Sequence, residues 1–81
     1  MKTAKQSAAF ESATRLTKVR RLVESGGARM IREAAGLSLR EMAAAIDAHV
    51  TTIWKWERGE RRPHGALALR YLDLLETLAG Q

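Results

Sequence analysis

Two short segments of helical periodicity, residues 39–46 and 50–58, are separated by only three residues, and this spacing restricts the possible folds more than any other feature. Ser38 directly precedes the first segment, and Glu41 lies three positions after Ser38, which is the capping-box spacing of a helix N-terminus. Asp47 lies in the connection, and aspartate is one of the few residues besides glycine that accept a left-handed backbone. The sequence therefore predicts two helices that are joined by a tight turn and cross closely.

The two segments carry apolar residues where a closely crossing pair of helices needs them. Ala43 is the small residue that permits close approach at the crossing. Larger apolar side chains follow the spacing of one buried face and should anchor the pair of helices to a core. These anchors are Met42, Ile46, Ile53 and Trp56, and the small residue Ala48 joins them. Gly59 predicts the end of the second helix.

Two further helices are predicted before this pair. The first runs from about Ser7, which can cap it, to Glu24, and the serine and glycines that follow should end it. The second spans roughly residues 28–35, and we expect its Met30 and Ile31 to point inward.

A last helix is predicted after Pro63, which can open it, and extends to about Leu78. Its buried face comprises Leu67, Tyr71, Leu74, Leu75 and Leu78. Leu69 and Leu72 fall outside that face, so we expect them to be exposed and available to a partner. Phe10, Val19 and Val23 form a similar stripe on the first helix.

These elements predict an all-α fold, a compact bundle of about five short helices without a sheet. We divide the chain into an N-terminal basic helix, residues 1–26, and a main domain, residues 27–81. A chain of 81 residues buries only a modest core, which leaves room for a dimer to supply further burial.

The charge of the chain is basic and unevenly placed. Fourteen Lys and Arg residues against nine Asp and Glu residues give a net charge of +5. Residues 1–25 hold six basic and two acidic groups, and residues 50–62 hold four and two. Such an excess suits a polyanionic partner, although a solvated basic surface explains it equally well.

Several functional classes lack their usual signals in this sequence. There is no cysteine, and His49 and His64 stand 15 residues apart, so we expect no metal site. No catalytic triad, carboxylate pair or phosphate loop is apparent, so we expect neither an enzyme nor a cofactor, and no small-molecule ligand is evident. The first thirty residues lack the apolar run of a signal peptide, and no run reaches a membrane span, so we expect a soluble, cytoplasmic protein.

The stretch from Gly36 to Gly59, followed by Pro63, resembles the Cro/C1-type helix-turn-helix family of phage repressors, Cro proteins and xenobiotic-response-element regulators. The resemblance covers about residues 28–78 and rests on Gly-Leu-Ser, Ala, Thr-Ile and Trp-Glu-Arg-Gly at family spacing. It departs from the family at Leu39, where glutamine is usual, and at Asp47 and His49. The resemblance implies a lambda-repressor-like domain with an added N-terminal helix.

The resemblance also implies how double-stranded DNA is bound. The second helix of the motif lies in the major groove, and its base-reading positions are Val50, Thr51 and Lys55. The candidates for phosphate contact are Ser38, Arg40, His49, Thr52, Trp54, Arg58, Arg61 and Arg62. Arg32 and Glu57 match positions that often form a partly buried ion pair in the family, and would lock the second helix of the motif against the preceding helix.

Some residues keep two interpretations at this point. Trp56 is expected in the core, whereas Trp54 either packs partly or contacts a sugar-phosphate or a protein. His49 is either a helix-cap residue or a phosphate contact.

Two functions remain open. The first is a sequence-specific DNA-binding transcriptional regulator that binds DNA as a homodimer and is associated with the nucleoid when it is bound to DNA. The second is an antitoxin-like or adaptor module that uses the same fold to bind a protein. Salt-dependent binding to duplex DNA would discriminate between them.

Overall fold

The computed structural model describes residues 4–81, which form five helices and no strand. They are α1 (Ala4–Glu24), α2 (Gly27–Ala34), α3 (Leu39–Ala45), α4 (Val50–Glu57) and α5 (Gly65–Ala79). The predicted all-α bundle of about five helices is confirmed.

The helix ends differ from the prediction mainly at the N-terminus. Helix α1 begins at Ala4, so Ser7 lies inside the helix and does not cap it, contrary to the prediction. Residues of high helix propensity precede Ser7 and allow the helix to extend beyond it. Helix α5 begins at Gly65 after the extended residue His64, so Pro63 precedes the helix and does not open it.

The connection between α3 and α4 has the predicted local geometry. The backbone N–H of Glu41 donates to the Ser38 hydroxyl at 3.0 Å, and the backbone N–H of Ser38 donates to the Glu41 carboxylate at 2.9 Å. Asp47 adopts a left-handed backbone with φ of 57°. The capping box and the left-handed turn residue are therefore both confirmed.

One core joins α1 to the other helices. Its buried members are Val19, Val23, Ala28, Met42, Ala43, Ile46, Ile53, Trp56, Ala68, Tyr71, Leu72 and Leu75. The rings of Trp56 and Tyr71 lie 5.0 Å apart between centroids, which places two large aromatic side chains against each other. The prediction that Trp56 is a core residue is confirmed.

Two predicted partner surfaces are wrong in part. Phe10 is 65% exposed and Leu69 is half-buried, but Leu72 and Val19 are completely buried and Val23 is 7% exposed. The reason is that α1 packs along α5 and covers a second face of that helix. Ion pairs of Arg15 with Asp73 and of Lys18 with Glu76 join the two helices beside this contact.

The inward orientation of Met30 is also wrong, since 69% of this residue is exposed. Ala28 is the buried residue of α2, and Ile31 packs against the core from the same face. Met30 lies two positions after Ala28, which turns it about 200° around the helix axis and away from the core.

Candidate nucleic-acid interface

Helix α4 is fixed to the bundle through its buried face and presents its other face outward. Ile53 and Trp56 are buried, while Thr51 and Trp54 are exposed. Small Ala43 of α3 is buried in the core, and its carbonyl accepts a 2.8 Å hydrogen bond from the Ala48 backbone N–H. The turn and the core thus set the direction of α4 independently of any surface contact.

The three residues that match the family's base-reading positions differ in exposure. Thr51 is exposed, whereas Val50 and Lys55 are half-buried. Val50 packs partly against the core, and the carbonyl of Lys55 accepts a 2.9 Å hydrogen bond from the Glu60 backbone N–H. The backbone carbonyl of Lys55 therefore also takes part in the C-terminal capping of α4.

Most candidates for phosphate contact are exposed side chains. They are Ser38, Arg40, His49, Trp54, Arg58, Arg61 and Arg62, while Thr52 is half-buried. His49 is the N-cap residue of α4 but its side chain makes no capping hydrogen bond. Its imidazole is consequently not committed to the cap.

Trp54 and Arg58 form one unit on the exposed side of α4. The guanidinium carbon of Arg58 lies 4.6 Å from the centroid of the Trp54 ring, which is a cation–π contact. Arg58 also forms an exposed ion pair with Glu60. Trp54 is 42% exposed, so it is a surface side chain with a charged group stacked on it.

Arg32 and Glu57 are joined in the structure, as the resemblance implies. Arg32 Nε donates to Glu57 Oε2 at 2.7 Å, and a terminal nitrogen donates to Oε1 at 3.0 Å. The other terminal nitrogen donates to the Leu37 carbonyl at 2.9 Å. The hydrogen bond to Glu57 raises the pKa of Arg32. The pair therefore connects α2, the segment before α3 and the end of α4.

Two arginines that are not among the predicted site residues support the candidate interface through hydrogen bonds to its backbone. Arg20 of α1 donates through Nε to the Pro63 carbonyl at 2.8 Å, and a depression beside this bond is also lined by Gly59, Arg61 and Arg62. Arg70 of α5 donates to the Ile46 carbonyl at 3.2 Å, at the end of α3. The sequence offered no signal for either contact, because the partners lie 43 and 24 residues apart.

Other site types find no support in the part of the chain that the structure describes. No group of three His, Cys, Asp or Glu side chains there could hold a metal ion. None of the five helices is long and apolar enough to cross a membrane.

Comparison with known proteins places this arrangement in a family. Residues 28–81, which include almost all of α2 and the whole of α3 to α5, match the family described as "Helix-turn-helix domain". No curated protein and no solved structure matches the chain. The family match covers more than half of the 81 residues, and the protein therefore belongs to the helix-turn-helix domain family.

Proposed function

We propose that the protein is a sequence-specific regulator of transcription of the Cro/C1 type, which inserts α4 into the major groove of double-stranded DNA. The observation that carries this proposal is the rigid presentation of α4: the capping box, the left-handed Asp47 and the Arg32–Glu57 pair fix it, while Thr51 faces outward. A helix presented in this way fits the major groove of B-DNA.

The proposed roles follow the chemistry of each side chain. Lys55 donates to guanine O6 and N7, and Thr51 bonds a base edge through its hydroxyl. The exposed arginines of the segment after α4, Arg61 and Arg62, contact phosphates and fix the register of the protein on the duplex.

The first test is the binding of duplex DNA as a function of salt. Each neutralised phosphate contributes a slope of about −0.9 in a plot of log affinity against log salt concentration. Five phosphate contacts for each subunit would thus give a slope of about −4.5 for one bound subunit and about −9 for a bound dimer. Absence of binding to every duplex, with the protein folded, would exclude the proposal.

A pair of variants separates base reading from phosphate contact. Lys55→Ala should lower affinity for the preferred duplex by about 1–3 kcal/mol and relax the preference at one base pair. Arg61→Ala, which also removes one positive charge, should lower affinity equally for preferred and random duplexes. Equal losses on all sequences in both variants would contradict the role of Lys55.

We also propose that the protein binds DNA as a homodimer, because one recognition helix reads only a few base pairs. With Leu72 and Val19 buried, the dimer contact moves to an apolar groove between α2 and the end of α5. Its lining residues are Met30, Ile31, Ala34, Ala35, Leu37, Leu78, Ala79 and Gln81.

Sedimentation of the protein–DNA complex tests the dimer. Met30→Glu places a charge in the groove at a residue that is 69% exposed, so the fold should tolerate it while the dimer dissociates. One protein on each minimal duplex, without inverted repeats in the selected sites, would rule the dimer out.

A further inference from the structure

An open depression of about 280 Å³ lies where the first turns of α3 and α4 meet, lined by Leu39, Val50, Thr51 and Trp54. None of these four side chains is charged, and three of them are apolar. Leu39 and Val50 are half-buried and pack against the core, which fixes their positions. Thr51 and Trp54 are exposed and form its outer part.

The depression occupies the part of α4 that meets base edges under the proposed function, on which this inference rests. Val50 and Thr51 are the first two residues of α4, and Trp54 follows one turn after Val50. A helix-turn-helix protein directs this first turn at the floor of the major groove. What the depression accepts should therefore influence which bases are preferred.

We infer that the depression receives the C5 methyl group of a thymine. The major-groove edges of the four bases present hydrogen-bond donors and acceptors, and the thymine methyl is the apolar exception. A base amino or carbonyl group pressed against Leu39 and Val50 would lose its water without gaining a partner, which is unfavourable. Thymine also presents O4 beside its methyl group, where the Thr51 hydroxyl can donate.

Charge around the depression favours DNA over an apolar protein segment as the occupant. The Arg58 guanidinium is stacked on the Trp54 ring that forms one wall. Arg40, which directly follows Leu39 in the chain, is exposed. An apolar floor with cationic groups beside it matches a methyl group on a base edge between phosphate backbones.

Replacement of thymine by uracil tests the inference, because it removes the methyl group and leaves the hydrogen-bonding edge unchanged. A duplex selected from a random pool is synthesised with deoxyuridine at each thymine position in turn. Loss of one buried methyl group should weaken binding about fourfold at a contacted position. Thymines outside the contacted base pairs are the internal control.

The protein variants assign this preference to the depression. Val50→Thr keeps the side-chain shape but replaces a methyl group with a hydroxyl, so the ratio of thymine to uracil affinity should fall toward one. The matched control is Lys55→Ala, which should weaken both duplexes and leave the ratio near four. A ratio is insensitive to a general loss of affinity or of folded protein.

The outcomes separate this inference from the proposed function. Sequence-specific binding without any effect of uracil would overturn the inference and leave the regulator intact. A ratio that Val50→Thr does not change would also overturn it. Failure of the folded protein to bind any duplex would overturn the proposed function, and the inference with it.

Discussion

The Arg32–Glu57 ion pair should be the most strongly coupled interaction of its kind in the described part of the chain. The side chains are 12% and 6% exposed, and two short hydrogen bonds join them. Arg32→Met would leave the Glu57 carboxylate in this position without its partner and the Leu37 carbonyl without a donor. Removal of one partner of a buried pair costs about 3–5 kcal/mol.

The size of this cost can be compared with the stability of the whole protein. A chain of this length is stabilised by about 4–12 kcal/mol, so a loss near 3 kcal/mol consumes a large part of it. We expect the lower end of the range because neither side chain is completely sequestered. For a small domain, such a loss corresponds to a decrease of about 12–24 °C in Tm.

A double-mutant cycle measures the coupling. The variants Arg32→Met, Glu57→Met and the double variant are unfolded with urea while tryptophan fluorescence, to which buried Trp56 contributes, is followed. The double variant should be more stable than the sum of the single losses predicts, by at least about 2 kcal/mol, because no unpaired charge remains.

The exposed ion pair Arg29–Glu33 of α2 is the matched control. Its side chains are 64% and 53% exposed, so the same cycle there should give a coupling energy close to zero. Additive losses at Arg32 and Glu57, within error, would refute the assigned role of this pair.

Three further changes test the supporting structure. Ser38→Ala should lower the free energy of unfolding by about 1 kcal/mol at neutral pH through loss of the cap. Hydrogen bonds from the Ser38 backbone and side chain lower the pKa of Glu41, so the stability of the unaltered protein should fall as the pH drops through that lowered pKa. Glu41→Gln should abolish this acid-dependent loss in urea titrations. Arg20→Ala should weaken DNA binding more than Arg21→Ala, since both remove one charge from α1 but only Arg20 supports the Pro63 carbonyl; equal losses would show that only charge matters. Tyr71→Phe should leave stability unchanged or raise it by about 1 kcal/mol, because the buried Tyr71 hydroxyl has no hydrogen-bond partner among the described residues, and a clear loss in thermal unfolding would contradict this.

Local features of the fold were predictable from the sequence because neighbouring residues determine them. The capping box needs only Ser38 and Glu41 at the correct spacing, and the left-handed turn needs only a residue such as Asp47 that tolerates it. The inward positions of Ile53 and Trp56 follow from helical periodicity over a short segment with one buried face.

Contacts between distant helices decided the rest. Helix α5 packs on α1 as well as on the domain core, so it buries Leu72, although a single-face pattern predicts this residue to be exposed. The bond from Arg20 to Pro63 joins residues 43 positions apart, and no local pattern encodes such a distance. Periodicity reports only that a helix has an apolar face; how many neighbours cover the helix, and from which sides, is set by the packing of the whole chain.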